Sequence, residues 1–431
     1  MHRLTIWLNC LVKSLLVGSV LLLSFSVDAQ TLTLEEVISK ASAQYPLLKQ
    51  KDLINQSAQL AISNLKKGFW PQAAMSAQAS YQSDVTSFPL ALPGVSIDPL
   101  QKDQYRILTD LSQVLYDGGM ISHQKKLEVL KATVEQDKIE VELTALRDRI
   151  TQLYLGILFT DRQSAQIQLI KEDLLSSIRL MEARVQEGAV LRSQLNILQA
   201  EALKTEQRLV EVKASGKALI ASLELYMNHE IDEQTVFVAP STPDISSSEI
   251  HRPELNLLDG QKEIVKEQAK IINARNQPKA AAFLQAGYGR PGLNMLKNSF
   301  EPFYIAGIRL NWTIGNLYTS KSEKKILEIN NRTIDVQKDV FVLQTSIKQK
   351  QQLEEIDKWK QFITMDTSII SLRNHITQVA RAQLENGSIT TSDYLREVNA
   401  EDAARQNLIL HELQLILAKI NYANITGSNH K

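Results

Sequence analysis

The residues that come nearest to a chemical signature are Gly287-Tyr288-Gly289-Arg290-Pro291-Gly292. They match GxGxxG, the glycine-rich turn that seats a pyrophosphate at a helix N-terminus. No helix pattern opens after them and Pro291 interrupts the run, so no nucleotide site is expected. Of the seven His, one lies in the first 29 residues and the other six are scattered, with no HExxH and no metal-ligand spacing. Acidic pairs such as Glu354-Glu355 lie in a charged run and read as solvated. Cys10 is the single cysteine, and no Ser/His/Asp cluster is visible. The expectation is a protein without catalysis, cofactor or metal.

The pattern that stands out is structural. From Tyr304 to Ile314 the even positions are Tyr304, Ala306, Ile308, Leu310, Trp312 and Ile314, while Gly307, Arg309, Asn311 and Thr313 fill most of the odd ones. One face is apolar and the other polar, as in a half-wet strand. Past Gly315 the period changes, and from Tyr318 to Asn386 the chain is charged, Gln-rich and free of Pro and Gly. At 1.5 Å per residue such a helix reaches about 100 Å. The same switch occurs earlier, where Tyr105, Ile107, Thr109 and Leu111 alternate with Arg106, Leu108, Asp110 and Ser112 before LYDGG (Leu115 to Gly119) leads into a second long helical run.

The two switches belong to an internal duplication. Pro46 and Pro253, Pro71 and Pro278, and Tyr81 and Tyr288 are each 207 residues apart; Leu111 and Leu310, and Gly188 and Gly387, are 199 apart. One eight-residue difference in a loop accounts for the change. The expected organisation is a first repeat over 30–228, with a helix, strands 72–86 and 104–115, a long helix 119–187 and a return helix 193–227. A linker over 229–249 follows. The second repeat covers 250–427, with a helix, strands 279–289 and 303–314, a long helix 318–386 and a return helix 392–425, before a tail of 428–431. Thr33, Glu35 and Glu36 suit a helix start, and Pro46 either kinks that helix or divides it. Ser193 and Thr390 to Ser392 are candidate caps for the return helices.

Residues 1–29 read as a signal peptide: Arg3 and Lys13, an apolar core from Leu15 to Phe25 too short to stay in a bilayer, and small residues at Val27-Asp28-Ala29. Its removal takes Cys10 with it and leaves a formal charge of −1, so nothing points to nucleic acid. The remainder holds no apolar run long enough for a transmembrane helix. With 44% hydrophobic but 6% aromatic residues, 16 Gly and 11 Pro, the chain is mainly α with a small β part.

In the segment after Trp70-Pro71, Ala73, Met75, Ala77, Ala79 and Tyr81 alternate with Ala74, Ser76, Gln78, Ser80 and Gln82. A soluble sandwich would turn the apolar face inward; a membrane barrel would turn it to lipid and enclose the Ser/Gln face. The small side chains favour the barrel. Trp70, Tyr81, Tyr105, Tyr116, Tyr288, Phe303 and Tyr304 near the strand ends fit an interfacial girdle. Four strands cannot close a barrel, since about eight are needed even for a filled one, so several copies must contribute. The spacing of Leu127, Leu130, Val134 and Val141, with Asp137 at the skipped position, and of Val336, Val340, Leu343 and Ile347 marks seams for neighbouring helices.

In its ordered set of segments the chain resembles the TolC-type outer-membrane factors of tripartite efflux pumps and type I secretion systems. The segments are LTLEEVISKASAQYPLL (Leu32 to Leu48), WPQ (Trp70 to Gln72), LSQVLYDGG (Leu111 to Gly119), RPEL (Arg252 to Leu255), the strand-to-helix join Leu310 to Lys325, and two Gly-centred turns whose return helices end in LELYMN and YANITG. The resemblance implies a homotrimer: a 12-stranded outer-membrane β-barrel continuous with a long periplasmic α-helical coiled-coil barrel, opened by a periplasmic adaptor and an inner-membrane RND or ABC pump. Arg309, Asn311 and Thr313 would then line the lumen, and Trp70, Tyr81, Tyr105, Tyr288 and Tyr304 would meet outer-membrane lipid. Gly188, Ala189 and Val190, with Gly387, Ser388 and Ile389, would be the adaptor-contact turns.

The family carries acidic residues six and nine positions past the second turn Gly. Asp393 matches the first, but Arg396 holds the second, followed by Glu397. The gate would therefore be mixed in charge, with Arg396 either paired to Asp393 between subunits or bonded within its own turn. Two function classes remain: a passive exit duct, for small toxic compounds or for a secreted polypeptide, and a non-channel periplasmic coiled-coil scaffold.

Overall fold

The computed structural model describes residues 31–86, 99–242, 245 and 249–427. The expected signal segment with Cys10, most of the loop 87–103, Pro243 and Ser246 to Ser248 of the linker, and the tail 428–431 lie outside them. In chain order the elements are β1 (Thr31–Leu32), α1 (Leu34–Gln44), α2 (Leu47–Lys66), a 3₁₀ turn (Lys67–Phe69), β2 (Gln72–Tyr81), β3 (Asp103–Tyr116), α3 (Met120–Gln186) and α4 (Arg192–Met227). After β4 (Val236–Phe237) the order recurs with α5 (Pro253–Arg275), β5 (Lys279–Arg290), β6 (Glu301–Asn311), α6 (Asn316–Glu385) and α7 (Thr391–Thr426). The long helices α3 and α6 have 67 and 70 residues, and each return helix has 36. No helix among the described residues is long and apolar enough to cross a membrane.

Local chemistry sets several boundaries. Thr33 and Glu36 form a reciprocal capping box at the start of α1. Pro46 divides rather than kinks the first helix, because it lacks an N–H and disfavours helix at Tyr45, which is extended. β2 stops at Tyr81, short of the expected residue 86. β6 stops at Asn311, so the alternation that placed Thr313 on the polar face ends before it.

The described chain forms two compact units, and each draws on both halves of the sequence. One comprises 31–45, 146–245 and 351–422. There β1 and β4 pair in parallel, Thr31 with Val236 and Leu32 with Phe237. The ends of α3, α4, α6 and α7 near the two turns share a core of Leu174, Ile178, Met181, Leu195, Leu198, Leu384, Tyr394 and Leu395. The other unit comprises 46–145, 246–350 and 423–427. It holds an antiparallel sheet of order β2-β3-β5-β6, in which, among the described residues, β2 and β6 are unpaired edges. Arg252 ties the start of α5 to the end of α7: it pairs with Glu254 and donates to the Asn424 carbonyl at 2.8 Å.

Candidate functional site

The strand registers settle which side chains share a face. Directly opposed residues point the same way, so the pairings Ala73↔Leu111, Leu111↔Leu284 and Leu284↔Ala306 carry one face across all four strands. That face holds Met75, Ala77, Ala79, Ile107, Leu111, Ala282, Leu284, Ala286, Ile308 and Leu310, with Tyr81, Tyr105, Tyr288 and Tyr304 toward the end remote from the helices. A register shift after Val114 brings Tyr116 opposite Ala280 and onto the same face. Eleven residues of β3 separate Tyr105 from Tyr116. That is about 36 Å of strand, or about 28 Å of depth at a tilt of about 40°, close to the apolar band of about 25 Å of a membrane barrel. Trp70 and Trp312 stand exposed at the helix end of the sheet, where the Trp312 indole N–H donates to the Asn276 carbonyl at 3.0 Å.

The opposite face is the more polar one, with Gln72, Ser76, Gln78 and Ser80 on β2, Gln104, Arg106, Asp110 and Ser112 on β3, Lys279 and Gln285 on β5, and Arg309 and Asn311 on β6, interrupted by Leu108, Val114, Phe283 and Ile305. Phe303, expected in the aromatic girdle, belongs here instead, because it pairs with Gly287 on this face. Its ring lies 5.9 Å from the Arg106 guanidinium. Gly287 and Gly289, two of the glycines that mimicked a nucleotide motif, are strand residues of β5.

At the other candidate site, the two turns close alike. Gly188 and Gly387 have φ of +73° and +74°, a conformation that costs Gly little and other residues more. Ala189 N–H donates to the Arg184 carbonyl at 2.9 Å and Ser388 N–H to the Gln383 carbonyl at 2.8 Å, so each helix ends in a Schellman motif. Gly188, Ala189, Gly387 and Ser388 are exposed, whereas Val190 and Ile389 turn inward and pack on the shared core. Ser193 does not cap α4; Leu191 occupies that position without a side-chain bond. At α7 the cap is Thr390, whose Oγ1 accepts the Asp393 N–H at 3.2 Å while its own O–H and N–H donate to Asp393 Oδ2 at 2.7 and 3.3 Å. These bonds, with Arg396 nearby, hold the Asp393 carboxyl below the usual carboxylate range.

Arg396 bonds within its own turn, 3.6 Å from Asp393 and 3.3 Å from Glu397, and Glu397 also meets Arg373 at 3.2 Å. The four charges therefore alternate and cancel. Thr391 N–H donates to Gln194 Oε1 at 2.9 Å, joining the starts of the two return helices. Further along, Arg208 donates from both terminal nitrogens to Asp402 Oδ2 at 3.1 Å, and Asp402 is only 5% exposed. The sequence carried no signal for this pair, since its members lie 194 residues apart.

Tyr154 also escaped sequence reasoning. It is fully buried, its hydroxyl lies 2.6 Å from the Leu32 carbonyl and 2.7 Å from that of Val238, and it accepts the Val238 N–H at 3.1 Å. Burial pushes this phenol up to about 12. It anchors the β1–β4 pair to α3.

No family model and no curated protein matches the chain. Solved structures do. CusC, described through conformational changes accompanying folding and transmembrane channel formation, is 14% identical over 93% of this chain and 92% of its own, with a TM-score of 0.69. The outer membrane protein VceC of Vibrio cholerae is 13% identical over 91% and 96%, at 0.66. The Campylobacter jejuni CmeC outer membrane channel is 13% identical over 91% and 85%, at 0.65. At this identity the shared property is the fold, and it runs nearly end to end: this chain has the fold of outer-membrane channels.

Proposed function

We propose that the protein is the outer-membrane exit duct of a tripartite export system, exported by its segment 1–29 and assembled as a homotrimer. Three four-stranded sheets close a 12-stranded barrel, with the apolar face toward lipid and the polar face toward water. The helices extend into the periplasm as a coiled-coil barrel, and the Asp393–Arg396–Glu397 cluster lies at its gate. The duct is passive and carries small toxic compounds. A periplasmic adaptor at the Gly188 and Gly387 turns and an inner-membrane RND or ABC pump open it and supply the energy.

The observation that carries this reading is a sheet with one apolar face, one polar face and two unpaired edges, fused to helices of 67 and 70 residues. Unpaired edges of ten and eleven residues invite strand pairing with another chain, and a barrel removes them. The helices support the same conclusion. Val134 in the first seam is buried, but Val336, Val340, Leu343 and Ile347 are about half exposed and await a neighbour. A soluble scaffold would leave the sheet's whole apolar face in water.

The test is to extract the protein with detergent, measure its size and record conductance in a planar bilayer. A trimer with discrete openings supports the duct; a water-soluble, non-conducting protein refutes it.

A further inference from the structure

Three cations stand on the polar face of the sheet, and among the described residues none has a carboxylate partner: Arg106, Lys279 and Arg309. Register places Lys279 opposite Asn311 and Ala281 opposite Arg309, so two of the three form a tier at the helix end, where the face carries no acid. Arg106 forms a second tier toward the other end. The carboxylates of the face are Glu301, which pairs with Lys297 at 3.2 Å, and Asp110, which accepts a hydrogen bond from Gln285. Asp110 lies four strand residues, about 13 Å, from either tier. That exceeds the screening length of about 8 Å at physiological ionic strength.

The two arginines are held in the same way. The Arg309 guanidinium sits 4.7 Å from the centre of the Phe283 ring. Phe283 pairs with Gly307, where any Cβ would come within 3.2 Å of the ring. Phe303 likewise lies across Gly287 to reach Arg106. An aromatic ring fixes a guanidinium without neutralising it, and its in-plane N–H donors stay free for an oxyanion. The bare glycine opposite each phenylalanine is what leaves room for the ring to reach its arginine.

We infer that the barrel lumen selects anions, with Lys279, Arg309 and Arg106 forming two cationic tiers that favour organic carboxylates, phosphates or sulfates over cations as cargo. The inference rests on the duct reading and goes beyond it by naming the charge class. The gate does not set the sign, because Arg373, Asp393, Arg396 and Glu397 cancel. Each copy presents three free cations against one unpaired carboxylate, and closure of the barrel would focus that excess in a narrow channel.

The experiment is the reversal potential of the purified trimer across a KCl gradient, with inorganic tripolyphosphate added from the barrel side as a probe. The wild type should pass chloride in preference to potassium, and tripolyphosphate should block it. The double variant Lys279→Glu/Arg309→Glu should invert the preference and lose the block, while Arg309→Lys should keep both. If the double variant fails to assemble, the wild-type potential and block decide by themselves. A potassium-preferring wild type, or a double variant with an unmoved reversal potential, overturns the inference and leaves the duct standing. A protein with no openings at all overturns the duct.

Discussion

Ile308→Arg tests the membrane face most directly. Ile308 lies on β6 four residues from Tyr304 and four from Trp312, and 74% of it is exposed in the single chain. Four residues span about 13 Å of strand and about 10 Å of depth after tilting, which puts Ile308 midway between the two aromatic levels. An arginine on the lipid face of a barrel costs about 2–4 kcal/mol at the midplane and little near the interfaces. In the proposed trimer three copies would make about 6–12 kcal/mol, more than a ten-thousandfold in the assembly constant. The control is Ile305→Arg, three residues away on the wet face, which should cost under about 1 kcal/mol. Trimer yield after detergent extraction, with urea unfolding in lipid vesicles, reads both variants. If Ile308→Arg assembles like the wild type, or Ile305→Arg is the one that fails, the face assignment is wrong.

Other consequences can be measured on the same protein. Tyr154→Phe removes the hydroxyl's bonds to the buried Leu32 carbonyl and to the partly buried Val238 N–H and carbonyl, and should cost about 1–3 kcal/mol, read by chemical denaturation. Because that phenol is raised to about 12 in the folded state from its ordinary 10, its contribution should be complete below pH 10 and vanish as pH rises through 12, and the Phe variant should lose this alkaline slope. Gly188→Ala and Gly387→Ala meet no atom within 4 Å, so each should cost only the positive-φ strain of about 1–2 kcal/mol; a larger loss in thermal unfolding would mean the turns are packed. Arg208→Ala leaves the buried Asp402 with Gln406 alone, at 2.7 Å, and should destabilise by about 3 kcal/mol, with Arg208→Ala/Asp402→Leu recovering most of it. The depressed Asp393 carboxyl stabilises the α7 start above its unfolded value of 3.8 and should lose that effect as pH falls below it. Hydrogen exchange at residues 390–396 would follow the loss, and a cap unchanged at pH 2.5 would contradict it.

The sequence by itself determined the elements, because the information for each is local. The period-two run from Tyr304 to Leu310 and the Pro- and Gly-free stretch after Tyr318 specify strand and helix whatever they pack against. Glycine at 188 and 387 specifies where the helices turn back, and the 207-residue offsets expose the recurring order. The tertiary structure decided what depends on pairing. The shift after Val114 moved Tyr116 to the apolar face, and cross-strand register moved Phe303 from the expected girdle to the polar face beside Arg106. Burial made Tyr154 an anchor for two strands too short to be seen, and helix packing joined Arg208 to Asp402. These contacts link residues far apart in the chain, and a one-residue change of register would exchange the two faces of a strand. Which side chains meet therefore depends on the geometry of the whole sheet and helix assembly, which no local pattern carries.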